Sequence, residues 1–117
     1  MTLLMTRRIV QAPGISLPMR LYGPALLSGT ATNLYVAWRK AQITGLHVSN
    51  PSASVIDLTL SIGSDAAGTR VYDDFAIAAD WAGKIRCLYT LEDGEILQGF
   101  ASTASVITLT VEGVEIT

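Results

Sequence analysis

A chain of 117 residues holds one ordinary domain and not two. Half of it is hydrophobic, 15% is charged and the formal net charge is -2, a core-rich composition with no global pull toward nucleic acid. The single cysteine, Cys87, excludes an intrachain disulfide and a multi-cysteine metal site and fits folding in a reducing cytoplasm. No run approaches the roughly 18 apolar residues of a membrane span.

The first 23 residues, "MTLLMTRRIVQAPGISLPMRLYG", hold no period of 3.6 or 2.0 and are punctuated by Pro13, Gly14, Pro18 and Gly23. They predict an extended N-terminal arm over 1–23, ordered against a neighbour or the domain, ahead of a domain over 24–117. The arginines follow a very short apolar run, the reverse of a secretory signal. Arg7, Arg8 and Arg20 are the only charges in the first 38 residues, so this segment is basic and the remainder acidic. An apolar, basic arm calls for a packing surface, which makes Arg7, Arg8, Ile9, Val10, Leu17 and Arg20 candidate interface residues.

From residue 24 the text turns strand-like. "NLYVAWR" (33–39) puts Leu34, Val36 and Trp38 on one face, which predicts a core Trp38. In "AQITGLHVSN" (41–50) the apolar parity switches at Gly45, the mark of a β-bulge. "SVIDLTLSIG" (54–63) alternates most cleanly, with Ile56, Leu58, Leu60 and Ile62 inward and Asp57, Thr59 and Ser61 outward. "SDAAGT" is a tight connection of small residues. "RVYDDFAIA" (70–78) is a half-buried strand with Phe75 and Ile77 inward and Asp73 near an edge or bend. "ADWAG" is a turn carrying Trp81, a further candidate contact residue. "KIRCLYTL" (84–91), the "EDG" corner, "EILQGFAS" and "SVITLTVEGVEIT" follow, with Ile107, Leu109 and Val111 inward and a second bulge expected at Gly113.

Seven to eight strands at about ten-residue spacing, with no three-turn amphipathic helix, predict an all-β fold: an antiparallel β-sandwich, jelly-roll or Ig-like. Catalytic chemistry finds no foothold. His47 has no second histidine to share a metal or relay, and Cys87 sits among apolar neighbours as a small hydrophobe. Asp73, Asp74 and Asp80 are the densest acids, yet lack the spacing of a calcium loop. "GSDAAGT" has neither the lysine nor the helix of a phosphate loop. No catalytic, cofactor-binding or metal-ligating residue is assigned.

"ITGLHVSNPSASVIDLTLSIGSDAAGTRVYDDFAIAAD", followed by "LEDGEILQGFASTASVITLTVEGVEI", resembles a group of small virion-associated proteins of tailed bacteriophages. The likeness covers about residues 40 to 117 and its motifs are structural. It implies a non-enzymatic β-sandwich made in the host cytoplasm and carried in the virion. There it would be a capsid decoration or cement protein, or else a tail or head-tail component. The partners it implies are further copies of the chain and the major capsid protein or other virion proteins, with no nucleic acid, membrane or cofactor. A carbohydrate-binding sandwich using Trp81 and the acids is the reading from a different class.

Overall fold

The structure, a computed structural model, describes residues 16–116. Eight strands follow in chain order: β1 (Ser16–Leu26), β2 (Thr32–Val36), β3 (Ala41–Asn50), β4 (Ile56–Ile62), β5 (Arg70–Ile77), β6 (Trp81–Leu91), β7 (Ile96–Ala101) and β8 (Thr108–Ile116). They form two four-stranded antiparallel sheets, ordered β1-β8-β3-β6 and β2-β7-β4-β5. First pairs with last, second with seventh, third with sixth and fourth with fifth. The chain is thus a long ribbon folded on itself and rolled into a sandwich, which is the jelly-roll member of the two expected architectures. No helix of the described residues is long and apolar enough to cross a membrane.

The alternating residues fill the space between the sheets. Leu58, Leu60 and Ile77 from one sheet meet Leu46, Val48, Leu109 and Val111 from the other, all buried. Gly45 behaves as its parity switch requires. The register shifts between Ile43 and Gly45 against both β6 and β8, so Ile43, Leu46 and Val48 all face inward. At Gly113 the expected bulge is absent from β8, whose residues pair consecutively. The extra residues sit opposite, in β1 and β3. Gly113 is needed for closeness instead: a Cβ there would lie 2.1 Å from the Gln42 carbonyl oxygen.

Four further expectations are corrected. Residues 16–23 of the expected arm are strand: β1 pairs with β8 from Ser16↔Ile116 to Leu26↔Thr108. Its pattern hides in the sequence because the register slips twice, between Arg20 and Tyr22 and between Tyr22 and Ala25. Trp38 is 61% exposed, because β2 ends at Val36 and the buried residue of the turn is Ala37. Phe75 is 40% exposed; it lies on edge strand β5, next to a register shift where Asp74 takes a positive φ. Thr59 and Ser61 face away from the core yet are 1% exposed. The Phe100 register partner of Thr59 and the Arg70 side chain, with its guanidinium 5.8 Å from the Phe100 ring, build up the outer face around them.

Candidate assembly surfaces

Two exposed aromatic surfaces stand at opposite ends of the sandwich. The first surrounds Trp38. Its Nε1 donates to Glu115 Oε2 at 3.0 Å, and the Tyr35 hydroxyl donates to the same oxygen. The Arg39 guanidinium lies 3.5 Å from the Trp38 ring centroid, a cation–π contact that covers one face. Burial, then the hydrogen bond to Glu115, pushes the Tyr35 phenol well above its ordinary value, so it stays a neutral donor. Tyr, Trp and Arg together are the residue types enriched at contact hot spots.

The second surface lies where the chain crosses from β5 to β6. Here Phe75, Ile77, Ala78, Trp81, Lys84 and Ile85 border a mainly apolar groove of about 350 Å³. Trp81, 38% exposed, opens β6 rather than sitting in the preceding turn. Its ring lies against Gly83, where a Cβ would come within 2.7 Å of it. Asp74 and Asp80, both exposed and next in sequence to the lining residues Phe75 and Trp81, take positive φ values of 50° and 51°. The groove stays open because β5 and β6 are both edge strands, each with one hydrogen-bonded neighbour.

The wall of this groove is fixed from behind by a buried amide. Asn50, 1% exposed, donates through Nδ2 to the carbonyls of Ser54, Ile77 and Ala78 at 2.9, 3.1 and 3.1 Å. Its Oδ1 accepts from the Ser52 amide and hydroxyl at 3.1 and 2.8 Å. One side chain thus ties the β3–β4 connection to the end of β5.

The remaining candidates are scattered. Arg7, Arg8, Ile9 and Val10 lie outside the described residues. Leu17 sits in register with Glu115 on β1. Arg20 is exposed on β1, at the edge of its sheet opposite to Trp81 on β6, so the structure does not bring these two together. Asp73 is engaged by Arg70, whose Nη1 reaches it at 2.8 Å while Nε reaches Asp65 at 2.9 Å. That hydrogen bond from Arg70 holds the Asp65 carboxyl below its ordinary value. Asp73, Asp74 and Asp80 do not converge, and among the described residues no group of three or more His, Cys, Asp or Glu is placed to hold a metal.

Burial pushes the Cys87 thiol up, away from thiolate, against an opposing hydrogen bond with Tyr72. His47 is exposed on the outer face, across from Lys84 and Thr110 in register. Sequence reasoning missed the Trp38 corner. Its signal was present: two adjacent cations, Arg39 and Lys40, follow Trp38 directly.

No protein-family model matches the chain, and no curated protein matches it in sequence. A solved structure does share its fold. A protein of Bacillus endospore appendages, described as forming a family of disulfide-linked pili, superposes with a TM-score of 0.57 at 12% identity. That match covers 99% of this chain and 98% of the other. A structure of infectious bursal disease virus, Gx strain, gives a TM-score of 0.46 at 13% identity, with 90% of this chain on 30% of that one. The chain is thus similar over nearly its whole length to a pilus-forming β-sandwich, and the likeness is one of fold.

Proposed function

We propose that this chain is a non-enzymatic structural subunit of a tailed-phage virion that decorates and cements the capsid surface. The observation that carries the reading is the pair of aromatic surfaces at opposite ends of one rigid sandwich. Trp38 with Tyr35 and Arg39 marks one end, and the Trp81 groove marks the other. A building block needs contacts on more than one side, and apolar area removed from water at each contact supplies the association energy. The resemblance over about residues 40 to 117 to small virion-associated proteins supports the placement on the particle.

The test is direct. Purified protein is mixed with shells assembled from the major capsid protein of a tailed phage that carries this chain, and the particles are imaged. Regular density over the shell, reduced when Trp38→Ala and Arg39→Ala are combined, is the expected result. Bare shells beside folded protein sink the placement.

A second reading is a subunit of a protein filament. The near full-length likeness to the endospore pilus protein favours it. Negative-stain images of the protein alone separate the two: long filaments support the second reading, and closed oligomers or single subunits that bind shells support the first.

A further inference from the structure

We propose that the groove between β5 and β6 takes the "RRIV" segment, Arg7–Val10, of a second copy of this chain. The inference deepens the reading of a self-associating structural subunit and rests on it.

Three observations point to this occupant. The groove is mainly apolar, and Ile9 and Val10 are apolar residues that water disfavours. Asp74 and Asp80 are exposed and adjoin the lining residues Phe75 and Trp81 in sequence, and among the described residues neither carboxylate has an ion-pair partner. Lys84, the one cation among the described residues that line the groove, is already held by Glu112 at 2.8 Å. An adjacent Arg7–Arg8 pair therefore finds opposite charge beside an apolar slot.

At the Trp81 end of the groove, geometry selects a second copy over self-docking. Ser16 pairs with Ile116, Ala41 with Glu115, and Ala41 with Leu91, so Ser16 lies level with the far end of β6. Trp81, at the other end of β6, is ten residues further along, about 33 Å at strand rise. It is also three strands across the sheet, about 14 Å. The straight-line separation is therefore about 36 Å. Ile9 precedes Ser16 by seven residues, a reach of at most about 25 Å. β1 begins at one corner and the groove opens at the opposite corner. Such a contact is head-to-tail, and repeated it closes a ring or extends a filament.

The test traps the contact in the full chain. In a Cys87→Ser background, Ile9→Cys and Ala78→Cys are combined, and the protein is oxidised mildly. The expected result is a ladder of covalent multimers on a non-reducing gel. Mixing chains of different size that carry only Ile9→Cys or only Ala78→Cys should give the mixed dimer. Combining Asp74→Asn with Asp80→Asn, side chains that tolerate the same backbone, should lower the yield of that dimer about tenfold. A disulfide closed within one chain overturns the inference. Multimers seen by sedimentation without any 9–78 bond overturn it and leave the assembly reading standing. Monomers at every concentration overturn both.

Discussion

The Nδ2 of Asn50 donates to the carbonyl oxygen of Ile77 at 3.1 Å, across from the end of β3 to the end of β5. Because that amide also bonds the Ser54 and Ala78 carbonyls, removing it strips a hydrogen bond from the buried Ile77 carbonyl and from two part-buried ones. Asn50→Ala should therefore cost about 2–4 kcal/mol in a urea titration. A loss under about 0.5 kcal/mol would mean that water replaces the amide without penalty. Asn50→Ser, too short to span these acceptors, should not recover the loss.

The corrected register separates two large apolar residues that the alternation had grouped together. Leu60 is buried between the sheets, and Leu60→Ala should cost about 2–5 kcal/mol. Phe75 lines an open groove at 40% exposure, so Phe75→Ala should cost under about 1.5 kcal/mol. Equal losses in the two denaturation curves would return Phe75 to the core.

The strand at residues 16–26 reverses the truncation outcome that an arm over 1–23 implies. A chain starting at Ser16 should keep the circular dichroism and the thermal transition of the full chain. A chain starting at Pro24 loses most of β1 and exposes the β8 edge, and its melting temperature should fall by at least about 8 °C, corresponding to 1–2 kcal/mol or more. Equal stability of the two truncations would show that β1 adds nothing to the sandwich.

The Asp65–Arg70 pair should make stability depend on acid. The Asp65 carboxyl is held below its ordinary value of 3.8, chiefly by the hydrogen bond from Arg70. A depressed carboxylate contributes stability that is present above the unfolded value and is lost as pH falls through the folded one. The loss therefore begins near pH 4 and continues downward. Thermal transitions followed from pH 6 to pH 2 should fall less steeply in Asp65→Asn than in the parent. Parallel curves would mean that solvent screens the pair completely.

Period-2 alternation in the sequence determined the all-β class, the bounds of β3 at 41–50, the bulge at Gly45 and the inward set Leu58, Leu60, Ile77, Leu109 and Val111. These are local properties, because alternation states which face of a strand is dry whatever strand lies beside it. The tertiary structure alone decided the partners. "IDLTLSI" alternates in the same way in an Ig-like sheet and in a jelly roll, and only the long-range pairings of β1 with β8 and β2 with β7 choose between them.

It also decided burial wherever a neighbour distant in sequence supplies the cover. Thr59 is buried beneath an outer face carrying Phe100 and Arg70, while Phe75 is uncovered because its strand lies at an edge. The groove at Trp81 was illegible for the same reason. It is a gap between two sheet edges, and an edge is a property of the sheet order, not of any one strand's residues.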